Sequence, residues 1–202
     1  MKERMSISSK FLRAACALSF GLSMLSISGC GTIFYNTVPV GSFSGDLVVQ
    51  WVAPNYFIYR QSTERPLVYT TSTGVKIQPR TMYTDGGSIP RLFWSAPSLA
   101  PWDFGPGYVI HDWLFEQHHC RESDWISFDL KRAADILAEA MKTQMVMTGK
   151  SDPTTVWAVH AAVESPVAES LWNNGKCGSL PPSPEADITN GKVPVTILRI
   201  SL

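Results

Sequence analysis

The sequence predicts an α+β fold: a small antiparallel β-meander packed against about three α-helices in a single domain. Three observations predict it. Residues 46–77 carry short β-branched and aromatic runs separated by turn residues. Two later segments place apolar residues three and four apart. The strands precede the helices instead of alternating with them, which argues against a parallel sheet.

The chain begins with a segment of a different character. Lys2, Arg4, Lys10 and Arg13 form a basic leader, and Ala14 to Ile27 form a mostly apolar stretch without charge. That length suits the apolar part of an export signal and falls short of the ~20 residues a spanning helix needs. The stretch runs into Ile27-Ser28-Gly29-Cys30, which resembles the bacterial lipobox. The resemblance implies a signal peptide over 1–29 and a diacylglyceryl group on the Cys30 thiol. It also implies a membrane-anchored, extracytoplasmic protein. With Gly31 and not Asp after the cysteine, a Gram-negative host would place it on the outer membrane facing the periplasm.

Removing the leader leaves 173 of the 202 residues, enough for one core. With 45% hydrophobic and 17% charged residues, the chain has a globular composition. The net charge of zero hides an asymmetry: four of 17 basic residues lie in the leader, against Glu3 alone among 17 acidic ones. The remainder is therefore acidic and carries no basic stripe, which excludes nucleic acid as a partner. Cys16 leaves with the leader and Cys30 takes lipid. Cys120 and Cys177 remain, and an even pair outside the cytoplasm points to a disulfide, with two buried thiols as the alternative.

Residues 30–42 read as a lipidated tether and 43–175 as the globular domain. Within it, strands are expected at Asp46–Val52, Tyr56–Arg60, Leu67–Thr71 and Val75–Ile77. A helix is expected from about Tyr108, carrying His111 and Asp112. A second is expected from an N-cap at Ser123, with Ile126, Leu130, Ala133, Leu137, Met141 and Met145 as its stripe and Gly149 as its stop. Asp152-Pro153 starts a third, which Pro166 should kink or split. Residues 176–202 read as a Pro-containing linker and a C-terminal strand at 195–200 that returns to the sheet.

Three stretches can carry chemistry. In Thr84-Asp85-Gly86-Gly87-Ser88-Ile89-Pro90-Arg91, two glycines allow a tight turn that either sets Asp85 and Ser88 beside a pocket or is simply a turn capped by Asp85. In Val109-Ile110-His111-Asp112-Trp113-Leu114-Phe115, a polar pair interrupts an apolar helix. Adjacent residues diverge by about 100°, so at least one must point inward and find a partner. His111 can serve as a general base, His111 and Asp112 can share a divalent metal, or the pair can be structural. No other cofactor is expected. In Arg121-Glu122-Ser123-Asp124, Asp124 either favours a helix start or joins the same site. His118-His119-Cys120 lacks a second ligand group at zinc spacing, and His160 beside an apolar stripe reads as a core histidine.

Together, these stretches resemble the domain-of-unknown-function 1353 family, a small domain seen in bacterial and phage proteins. Its pattern runs T-D-G-A-S-I-P-R, then H-D-x-L-Y, then R-x-x-A-D. The resemblance spans about Phe43 to Trp172. Gly87 replaces the usual Ala, Phe115 the usual Tyr and Ser123 the usual Ala, and the loss of the tyrosine hydroxyl removes any role for it. The resemblance implies that Asp85, His111, Asp112 and Asp124 form one site, without supplying a reaction. Two expectations follow: a hydrolase acting in the cell envelope, or a non-catalytic, phage-related lipoprotein that binds an envelope protein or glycan.

Overall fold

The computed structural model describes residues 29–52, 56–84, 102–121, 127–177 and 195–202. They form an α+β arrangement of two antiparallel sheets and five helices. The strands are β1 (Ser42–Ser44), β2 (Asp46–Val52), β3 (Tyr56–Tyr59), β4 (Val68–Thr70), β5 (Lys76–Ile77), β6 (Met82–Thr84) and β7 (Val195–Ser201). The helices are α1 over 29–37, α2 (Gly105–Cys120), α3 (Leu130–Thr148), α4 (Pro153–Val163) and α5 (Pro166–Asn174).

The expected single meander is instead two sheets, ordered β1-β4-β5 and β6-β3-β2-β7. The break comes at Gly45, between β1 and β2. Its φ of +92° suits glycine, and a Cβ there would strike the Pro66 carbonyl. The C-terminal strand does return: β7 pairs antiparallel with β2, Leu47 opposite Ile200 and Trp51 opposite Val195. Leu47, Val49 and Tyr59 from this sheet are fully buried and share one core with Val109, Ile110 and Leu114 of α2 and with Ala133 and Ile136 of α3. A second core joins Val38, Phe104, Tyr108, Leu137, Met141, Val156 and Val159.

Helix α3 serves both cores, so its apolar stripe is wider than a surface helix requires. It starts later than expected. Asp129, not Ser123, is the N-cap and accepts from the Arg132 amide at 2.7 Å. Both residues can cap and both precede the apolar positions from Leu130 onward, so local sequence alone does not choose between them. Gly149 closes α3 in the left-handed conformation, Asp152 caps α4, and Pro166 splits the third expected helix, with Ser165 capping α5.

The segment expected as a tether contains α1. Its Phe34 ring lies 4.7 Å from that of His160, and Val38 enters the second core. Lys142 satisfies the helix end by donating to the Tyr35 and Val38 carbonyls at 2.8 and 2.6 Å. Tertiary contacts thus stabilise a helix too short to persist alone.

Candidate functional site

Helix α2 crosses the sheet buried on most of its circumference, from Gly105 to Ile110 and at Trp113 and Leu114. His111 and Asp112 interrupt that surface where the helix passes the end of β6. The Thr84 hydroxyl donates to Asp112 Oδ2 at 2.6 Å. This bond joins the first residue of the Thr84–Arg91 stretch to the His-Asp pair, across 28 positions of sequence. Asp85 and Ser88 lie outside the described residues, as does Asp124, so their expected convergence concerns positions beyond this description.

His111 is the unusual member. Its Nε2 is fully buried and has no hydrogen-bond partner among the described residues. Its ring packs against Phe115, with centroids 5.0 Å apart. Burial pushes its pKa down to about 4, so the imidazole is neutral at physiological pH. A neutral ring with an unengaged nitrogen can accept a proton, bind a metal or receive a hydrogen bond from a ligand. One turn earlier, Tyr108 is buried too, and its phenol is pushed well up by burial and by the nearby charges of Asp103 and Asp112.

The far end of α2 is clamped. Cys120 and Cys177 form a disulfide that closes a separation of 57 residues. Trp172 of α5 stacks on His118 at 3.9 Å and takes the edge of Phe115 at 4.7 Å. His119 Nε2 lies 3.1 Å from the Trp172 carbonyl. The sequence His118-His119-Cys120 is thereby engaged in packing and cross-linking.

Among the described residues, two other groups bring potential metal ligands together, and neither includes His111 or Asp112. Glu116, Cys120 and Cys177 are one, but both sulfurs belong to the disulfide and offer no thiolate. Asp135, His160 and Glu164 are the other. The buried His160 ring places Nε2 2.9 Å from Asp135 and Nδ1 3.4 Å from Glu164. The Lys131 ammonium sits 3.0 Å from Asp135 and 4.0 Å from Glu164, so a cation already neutralises these carboxylates.

Two functional-type residues escape sequence reasoning. Thr84 is legible only as the start of a turn-rich stretch. Glu139 lies on the buried side of α3 between Ala138 and Ala140, and a charge in that position is the one signal that could have found it.

Residues 62–163 match the family model described as "Protein of unknown function (DUF1353)". No curated protein and no solved structure matches the chain.

Proposed function

The chain belongs to the DUF1353 family, and from that premise we propose a lipid-anchored envelope protein whose His111–Asp112 site supports hydrolysis. The state of His111 carries this reading: a buried, neutral imidazole with an unengaged Nε2 beside a carboxylate held by Thr84. Burying a polar nitrogen without a partner costs stability, and such costs concentrate where chemistry needs them. His111 acts as general base toward a water, or as ligand to a divalent metal. Asp112, which accepts from the Thr84 hydroxyl, lies beside it, and Asp85 and Asp124 belong to the same proposed set.

The envelope location rests on the leader, the Cys30 lipobox and the Cys120–Cys177 disulfide, which persists where thiols are oxidised. No helix among the described residues is long and apolar enough to cross a membrane. Helix α1 packs on the domain instead of hanging from it, with Gly31 against Pro153 and Thr154. An acyl group on the exposed Cys30 therefore holds the domain directly on the bilayer. Ile33, one turn further on and 70% exposed, faces the same way.

A second reading is favoured by the Thr84–Asp112 bond itself. The polar residues then pin β6 to α2, and the surface binds an envelope protein or glycan without catalysis.

The test uses the full-length chain purified in lipidated form. Cys30→Ser should abolish incorporation of labelled palmitate. His111→Gln should abolish product release from isolated cell envelopes without lowering Tm, and the wild-type rate should keep its acid limb near pH 4 instead of 6.5. Equal release by wild type and His111→Gln would sink hydrolysis in favour of the structural pin.

A further inference from the structure

The end of the domain that carries Cys30 also gathers exposed apolar side chains from two helices. Lys142 of α3 meets the Tyr35 and Val38 carbonyls at the end of α1, and the Gly41 amide donates to the Thr143 hydroxyl at 2.9 Å. At the start of α1, Gly31 is buried against Pro153 and Thr154, just past the end of α3. These contacts make α1 and α3 antiparallel. Cys30, the last turn of α3 and the start of α4 therefore share one end of the molecule.

Three large apolar side chains are open to solvent there. Ile33 is 70% exposed, Val146 56% and Met147 51%. Cys30 and Ile33 are three apart on α1 and share a face. Lys142 and Val146 are four apart on α3, so Val146 rises on the side that meets α1, one turn nearer to Cys30. Thr148 to Ser151 follow, exposed throughout, with Lys150 among them. Segments 29–38 and 142–151 contain Lys142 and Lys150 and no acidic residue, although the chain beyond the leader is acidic. Asp152 comes next, and its carboxylate accepts from the Thr155 amide and hydroxyl at 3.0 and 2.7 Å.

We propose that this end docks on an anionic phospholipid bilayer, with Ile33, Val146 and Met147 at the boundary between headgroups and acyl chains and Lys150 against lipid phosphates. The inference rests on acylation of Cys30 and adds an orientation to it. A domain on a flexible tether would turn freely beneath its lipid. Here the acylated residue belongs to a helix fixed to the body, so no slack separates lipid from protein. Apolar side chains held at that depth leave water, and a lysine beside them gains from the negative surface. The acyl group already brings lipid to this patch, whereas a second copy of the chain would have to displace it. Helices α1 and α4 both lead away from this end, since Phe34 meets His160 further along. Helix α5 therefore begins beyond the 11 residues of α4, about 16 Å from the bilayer side.

The experiment reconstitutes the full-length lipidated protein in vesicles of phosphatidylethanolamine and phosphatidylglycerol. An environment-sensitive fluorophore sits on one introduced thiol: Val146→Cys, Met147→Cys or, as the distant control on α5, Val167→Cys. Val167 is 71% exposed, so the three sites differ in place and not in accessibility. Cys30 is occupied by lipid, and Cys120 and Cys177 by their bond, so the new thiol alone takes the label. Quenchers carried on the lipid chains near the headgroup should dim the labels at 146 and 147 about threefold more than the label at 167. Lys150→Glu should reduce quenching at 146. Protein that floats with the vesicles while its label at 146 is unquenched, or is quenched no more than that at 167, overturns the docked face and leaves the anchor standing. Unchanged quenching in Lys150→Glu overturns the anionic contact. A label at 146 shielded by self-association and not by lipid gives the patch to a second copy and also overturns the proposal. Protein that does not float overturns the anchor and the face together.

Discussion

Two buried histidines invite comparison. His160, between α3 and α4, has a carboxylate on each ring nitrogen and a lysine closing the network behind them. His111, on α2, keeps a buried Nε2 without a partner among the described residues. Both ring nitrogens concerned are sheltered from solvent, yet their polar surroundings are opposite. The paired ring is what a fold produces when it needs only to satisfy a polar group. The unpaired ring persists at a cost, and that difference, not the presence of a histidine, distinguishes a candidate site from a structural one.

The largest test strikes the clamp that serves only the His111 side. Cys177→Ser should cost about 4 kcal/mol, given a loop of 57 residues. Urea unfolding should show it, and the Phe115–Trp172 packing should loosen before the α3–α4 contact does.

Acid offers the next. The unfolded chain takes up a proton on His111 near pH 6.5 that the folded chain refuses until about pH 4. Stability is therefore fully present above pH 6.5 and falls as pH drops toward 4, by roughly 3 kcal/mol at most. Asp135 adds a loss at lower pH. Burial would raise its pKa, but hydrogen bonds from His160 and Lys131 hold it below the usual value. In His111→Gln the decline between pH 6.5 and 4 should flatten. If it persists unchanged, the contrast between the two histidines is broken.

Thr84→Val removes a charge-assisted donor of nearly the same shape and should cost about 2 kcal/mol by urea unfolding. The smallest effect belongs to the other side. Asp129→Ala, which removes the α3 N-cap at an exposed position, should cost about 1 kcal/mol and leave any His111-dependent activity intact. A loss of activity there would mean that the two regions are coupled through α3.

Much of the fold was legible because its signals are local. The runs at 46–52 and 56–59 are rich in β-branched and aromatic residues, as strands are. Gly149, Asp152-Pro153 and Pro166 punctuate the helices where backbone chemistry requires it. The Cys120–Cys177 bridge followed from pairing the two cysteines left over. Less of the site was legible. His111 and Asp112 stood out as polar residues in an apolar helix, but Thr84 gained meaning only from a contact 28 residues away, and Glu139 from its bonds to Tyr69 and Ser72.

The sequence by itself determined the α+β class, several of the helix boundaries and the family, because each depends on spacing and on neighbours along the chain. Tertiary structure alone decided that the strands split into two sheets, that Asp129 and not Ser123 caps α3, and that residues 29–37 coil against the domain. It also decided which buried polar atoms found partners. The physical reason is common to all four: a hydrogen bond or an apolar contact between distant segments has no trace in local propensity, and whether it forms depends on where the rest of the chain brings its partner.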